Sequence, residues 1–136
     1  MKPIAKGAKG THEFVVAQSD LAGSVEPTLP MVLATARMSL AMELAAIDAL
    51  RPFLEPGEMS VGVTVNVTHT AATPVGWKVR AEAEITGGEG RRVEYVIRAF
   101  DEKEEIGSGT HTRAVLARAK FDERFAQKLG SRGSSS

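Results

Sequence analysis

From Met31 to Leu50 the chain reads MVLATARMSLAMELAAIDAL, a run of strong helix formers closed by Pro52, where a helix has to stop. Its charged residues are Arg37, Glu43 and Asp48 alone. Nearly the whole circumference is therefore apolar, and such a helix is stable only when other elements cover most of it. Any fold open to this chain must place the segment near its centre.

The C-terminal part of the chain supplies the cover. Beyond Glu55-Pro56-Gly57, a turn by composition, the pattern changes to period two. Val61, Val63, Val65 and Val67 alternate with Gly62, Thr64, Asn66 and Thr68, and Val79, Ala81, Ala83 and Ile85 with Lys78, Arg80, Glu82 and Glu84. Val93, Tyr95, Ile97 and Ala99 repeat the pattern, and Ile106 to Arg118 reads as a last long strand. The separators, Pro74 to Gly76, Gly87 to Gly90 and Asp101 to Glu104, are short enough to join antiparallel neighbours, which predicts a meander. Thr11 to Ala17 adds one short strand, and Ser19 to Pro30, without periodicity, predicts a loop of the length that often covers a site. Lys120 to Leu129 suits a short terminal helix.

An apolar helix and an antiparallel sheet bury each other when the sheet curls around the helix. The expected fold is thus α+β, the hot-dog arrangement, with about five strands wrapped around one long central helix. So small a sheet leaves an edge strand and part of the helix uncovered, so a homodimer is expected, and two dimers can in turn make a tetramer. Residues 1–129 are expected to form one domain, and 130–136, only Gly, Ser and Arg, a tail without structure.

The remaining composition narrows the chemistry. With no cysteine, thiolate nucleophiles, disulfides and Cys-based metal sites are excluded. Seventeen basic residues balance seventeen acidic ones, so no global field gathers nucleic acid or an anionic membrane. No window of about 18 apolar residues exists to span a bilayer. The sequence predicts a soluble, cytoplasmic protein without nucleic-acid or membrane partners and without a cofactor.

Three polar residues stand out. Glu43 lies among Met42, Leu44, Ala45, Ala46 and Ile47, where an ionised carboxylate is costly unless it is paired or reaches water; its plainer reading is a solvent-facing stripe. Thr35 precedes it by eight residues, roughly 80 degrees around the axis and about 12 Å along it, so the two can border one cleft. In a first helical turn its hydroxyl can equally serve as a cap or bond back to the helix. His69 follows the valine series in register and predicts an imidazole on the helix-facing side at a strand end, as a core histidine or as part of a site. His12 and His111 show no metal-ligand spacing, the glycine clusters match no nucleotide-binding loop, and Arg91 and Arg92 read as exposed charge beside a hairpin turn.

The stretches Phe53-Leu54-Glu55-Pro56-Gly57-Glu58 and Val67-Thr68-His69-Thr70-Ala71-Ala72-Thr73-Pro74 closely resemble the fluoroacetyl-CoA thioesterase family of hot-dog enzymes. Gly90-Arg91-Arg92 and Glu105-Ile106-Gly107-Ser108-Gly109-Thr110-His111 extend the resemblance, which covers roughly Thr11 to Phe121. It implies an acyl-CoA thioesterase whose catalytic Thr, Glu and His fall on Thr35, Glu43 and His69, with a substrate-contacting Gly at Gly62 and an Arg near the acyl group at Arg113. His69 can then act as base toward Thr35 or toward water, and Glu43 can orient the imidazole or itself attack the thioester carbonyl. An amide at the helix N-terminus near Thr35, or the Gly62 backbone, is the candidate oxyanion donor.

One departure bears on the substrate. The family carries aromatic residues in the segment before its catalytic Thr, whereas no aromatic residue lies here between Phe14 and Phe53, and Glu26 and Leu29 take the aligned places. Another short-chain acyl-CoA is expected in place of the fluorinated one. The competing readings are a hot-dog hydratase or dehydratase acting on acyl thioesters and a non-catalytic domain that binds acyl-CoA or a metabolite.

Overall fold

The computed structural model describes residues 1–134. In chain order the elements are β1 (Lys9–Val15), α1 (Ala22–Val25), α2 (Thr35–Leu50), β2 (Glu58–His69), β3 (Lys78–Glu89), β4 (Arg92–Phe100), β5 (Glu105–Ala117) and α3 (Arg118–Ser134), with single 3-10 turns at Gln18–Asp20 and Arg51–Phe53. The strands form one antiparallel sheet in the order β1-β3-β4-β5-β2, curled about α2. No helix among the described residues is long and apolar enough to cross a membrane.

Helix α2 starts four residues later than its composition predicts. Met31 to Ala34 are good helix formers, but Leu33 is buried, pairs with Leu21 in an isolated bridge and gives its N–H to Thr73 O at 2.9 Å. These tertiary bonds outweigh local propensity. From Thr35 on, Met38, Ala41, Met42, Ala45, Ala46, Ala49 and Leu50 are buried, and the alanines on this face allow backbones to approach. The approach is closest at β1, where a Cβ added to Gly10 would collide with Ala45 O and Ala49 N.

The meander holds for β3-β4-β5 only. Strand β2 pairs with β5 and not with β3, and β3 takes β1 as its other neighbour. The 70–77 connection therefore crosses between sheet neighbourhoods instead of turning a hairpin, and it is tied to the core by buried Thr73. Periodicity marks a strand but carries no information about its partner.

Strand β2 also departs from strict alternation. Its register with β5 shifts between Gly62 and Thr64, leaving Val63 as a bulge. Directly paired residues share a face. Ser60 and Gly62, opposite Val115 and Arg113, thus face the helix before the bulge, and Val65 and His69, opposite His111 and Gly107, face it afterwards. A Cβ on Gly107 would meet the Met38 sulfur of α2 at 2.6 Å, which fixes the helix side of this face. His69 lies where the sequence predicts, while Val61 lies on the other face.

Helix α3 extends through Gly130 to Ser134. It is longer than the predicted 120–129 helix and occupies residues where the composition predicts a tail; Ser135 and Ser136 lie outside the described residues.

The tight seat of α2 on β1 yields a stability test. Gly10→Ala is expected to destabilise the fold by about 1–3 kcal/mol, as overpacking does, seen as a lower midpoint in chemical unfolding. Gly130→Ala, where nothing lies within 4 Å, should cause no loss.

Candidate functional site

Ala34 is the N-cap of α2 but carries no capping group, so the Thr35 hydroxyl one position on is not held as a cap. It points out of the helix, and its Oγ1 lies 2.8 Å from His69 Nδ1. The last residue of β2 and the first of α2 thus meet at the helix N-terminus. His69 Nε2, buried, has no hydrogen-bond partner among the described residues. The pair borders a cleft of about 400 Å³ lined also by Ala22, Leu29, Val32, Leu33 and Ala71.

Glu43 is elsewhere. Its Oε2 lies 3.3 Å from Arg113 Nη1, and a Cβ on Gly62 would stand 2.9 Å from the same oxygen. The sequence-derived residues therefore form two groups within one chain, Thr35 with His69 and Glu43 with Gly62 and Arg113. The spacing along α2 separates them by about 12 Å of helix axis. Only the bulge at Val63 lets both groups share the helix-facing side of β2, since His69 is seven steps along the chain from Gly62 and an odd interval in a regular strand points to opposite faces.

Arg113 is held on several sides. Its Nε donates to Ser60 Oγ at 2.8 Å, Nη2 to Ser60 O at 3.2 Å, and Nη1 lies 3.2 Å from His111 Nε2. His111 Nδ1 lies 2.7 Å from Thr64 O, and its ring stacks on Tyr95 with centroids 5.6 Å apart. Metal-ligand spacing gives no signal for His111. The signal that finds it is different: His111 and Arg113, two apart on β5, put two polar side chains on the buried face of the sheet.

The loop between β1 and α2 is anchored at Asp20. Its carboxylate accepts from Ala17 N–H at 2.7 Å and from Arg37 Nε at 3.2 Å, and its carbonyl accepts from Ala34 N–H at 2.9 Å. The Arg37 guanidinium also lies 3.7 Å over the Phe14 ring, a cation–π contact. Start of loop and start of helix are thereby joined. Glu26 is occupied by its own turn, accepting from both Thr28 N–H and Thr28 Oγ1 at 3.1 Å, while Leu29 lines the cleft.

Comparison with known proteins is consistent along the chain. A model of the fluoroacetyl-CoA-specific thioesterase family, FlK, matches residues 16–119. The fluoroacetyl-CoA thioesterase of Streptantibioticus cattleyicolor is 44% identical over 128 residues, 90% of this chain and 92% of that protein. A crystal structure of a variant FlK in complex with acetyl-CoA superposes with a TM-score of 0.86 at 42% identity, over 92% of this chain and 98% of that one. A Thermus thermophilus protein described as a thioesterase superfamily member superposes with a TM-score of 0.91 at 33% identity, over the full length of both chains.

Burial lowers the pKa of His69 against an opposing interaction with the Ala71 backbone. Burial also lowers that of His111, aided by the Arg113 charge and opposed by the Thr64 bond and Glu43. Each ring therefore binds a proton less readily folded than unfolded, so the unfolded chain gains protons first as pH falls through the ordinary histidine value of about 6.5. The expected result is a thermal unfolding midpoint that is level above about pH 7 and falls between about pH 6.5 and 5. Glu58, drawn down to about 2 by the Glu55 N–H, the Met1 ammonium and Arg91, contributes a separate loss at more acid pH. A midpoint that rises between pH 7 and 5 contradicts these assignments.

Proposed function

The chain belongs to the fluoroacetyl-CoA-specific thioesterase family, and from that premise and the site geometry we propose that it hydrolyses short-chain acyl-CoA esters with Thr35, His69 and Glu43. The observation that carries this reading is the 2.8 Å contact between Thr35 Oγ1 and His69 Nδ1, the geometry of a hydroxyl nucleophile and its base. Burial favours the neutral imidazole that a base requires.

In the reaction as we read it, Thr35 Oγ1 attacks the thioester carbonyl while its proton passes to His69 Nδ1. The C–S bond breaks, the proton goes to the departing coenzyme A thiolate, and an acyl ester remains on Thr35. Water, deprotonated by the same imidazole, then hydrolyses that ester to the free acid. The uncapped amides at the start of α2 are the donors for the oxyanion. The cleft walls are aliphatic, with Leu29 where the family carries an aromatic residue, which favours a short unfluorinated acyl group. Neither a hydratase nor a purely binding role has an observation here in its favour.

With the proton on Nδ1 during turnover, the charge needs a counter-ion, and Glu43 reaches it from a second copy of the chain. Thr35 lies beside His69 and Glu43 beside Gly62, so α2 and β2 run antiparallel. The midpoint between Thr35 and Glu43 is Ser39, and that between Gly62 and His69 falls at Val65 and Asn66. A two-fold axis through both midpoints sets Thr35 and His69 of one copy against Glu43 of the other. It also covers Leu40, 46% exposed, and Val65, 37% exposed on an edge strand. In that arrangement Glu43 of the second copy would face the His69 ring, whose Nε2 has no hydrogen-bond partner among the described residues. The functional unit is thus a homodimer.

Thiol release from a panel of short acyl-CoA esters tests the reading. Thr35→Ala, His69→Ala and Glu43→Ala should each reduce kcat by about 10²–10⁴-fold, with Thr35→Ser retaining part of the activity and a transient acyl adduct on Thr35 visible by mass. Mixing and re-equilibrating the inactive Glu43→Ala and His69→Ala proteins should restore about a quarter of wild-type activity, because each mixed dimer regains one complete site. Wild type that binds coenzyme A but releases no thiol from any ester would sink the enzymatic assignment, and failure to complement would return the site to a single chain.

A further inference from the structure

The hydrogen bonds around His111 determine where its proton sits. Nδ1 is 2.7 Å from the Thr64 carbonyl, which can only accept. Nδ1 therefore carries the N–H and Nε2 a lone pair. That lone pair lies 3.2 Å from Arg113 Nη1, which donates into it. The other N–H of Nη1 is directed to Glu43 Oε2 at 3.3 Å. A second proton on the ring would set two donors against each other beside a fixed positive charge, so the arrangement requires the neutral ring.

A guanidinium held by one carboxylate is free to swing about its long side chain. Arg113 is not free: Ser60 holds Nε and Nη2, and His111 holds Nη1. His111 is itself fixed by the backbone carbonyl just past the Val63 bulge and by the Tyr95 ring stacked on it at 5.6 Å. Burial pushes the Tyr95 phenol up to about 12, so that ring adds no charge. The charged side chains that act on the imidazole are thus Arg113 and Glu43, with Tyr95 stacked on it, and a continuous series of contacts runs from the bulge through His111 and Arg113 to the Glu43 carboxylate.

We propose that His111 is a positioning residue for thioester hydrolysis, holding Arg113 and, through it, the Glu43 carboxylate in the orientation the reaction uses. This rests on the assignment of Glu43 made above. The ring touches no reacting atom. Its part is to remove the rotational freedom of the guanidinium, and small losses of orientation in such a shell cost rate more than binding.

Two substitutions separate the two ring nitrogens. His111→Asn keeps an amide donor near the Thr64 carbonyl and loses the acceptor for Arg113, whereas His111→Gln reaches the Nε2 position with a carbonyl acceptor. His111→Asn is expected to lower kcat by about 10–100-fold, the usual effect of losing a supporting contact, with KM changed by less than about threefold. His111→Gln should recover most of that loss. Added to Glu43→Gln, His111→Asn should cause no further fall, since both act through one carboxylate. Independently of any variant, the imidazole nitrogen resonances of the wild-type protein at pH 7 should show His111 protonated on Nδ1 only. The opposite tautomer, a doubly protonated ring, or wild-type kcat in His111→Asn beside an inactive Glu43→Gln overturns this proposal alone. Full activity in Glu43→Gln removes the role of Glu43 and the proposal together.

Discussion

A helix without a polar face has to be enclosed, and the enclosure of α2 dictates most of what surrounds it. The close seat on β1 at Gly10 and the alanine-rich buried face bring the sheet backbone against the helix. The sheet curls because flat strands could cover only one side. Enclosure by five strands is incomplete on the β2 side, where Leu40 and Glu43 keep access to solvent. The polar groups gather along that opening: Thr35 and His69 at the helix start, Glu43 and Arg113 two turns further on. A site at the rim of a core gains buried walls for an acyl group while remaining open to a ligand as large as coenzyme A.

Much of this was legible in the residues. The helix, the strands and the helix-facing side of His69 follow from propensity and period, because each depends on neighbours within a few positions. Strand partners do not. Nothing in Val65 or Val67 says that β5, some forty residues later, lies alongside, so the meander reading failed at β2 while holding for β3, β4 and β5. The predicted start of α2 failed for the same reason: Leu33 is committed to Leu21 and Thr73 through contacts that propensity does not register.

The site divides in a similar way. Glu43 drew notice because a carboxylate among apolar residues is costly, and that reasoning is local. Thr35 is placed beside a shared cleft by its helical spacing from Glu43, but the partner of its hydroxyl lies 34 positions away, beyond the reach of local reasoning, and its catalytic role is what the resemblance implies. His111 has no metal-ligand spacing, so that criterion does not mark it. It is buried, and so is Arg113 two residues on, and two hydrogen-bonding side chains cannot share a buried face without a network to satisfy them. Looking for pairs of that kind finds such networks where looking for metal spacing does not.

The extra residue in β2 gives the strand a parity. With Val63 in place, one stretch of backbone offers Gly62 and His69 to the same side although an odd number of steps divides them. What matters at this position is that a residue is present, not which one it is. By this geometry the kind of side chain at Val63 is open, but adding or removing one residue between Gly62 and His69 would turn one of the two outward. In this segment the geometry constrains length more tightly than composition.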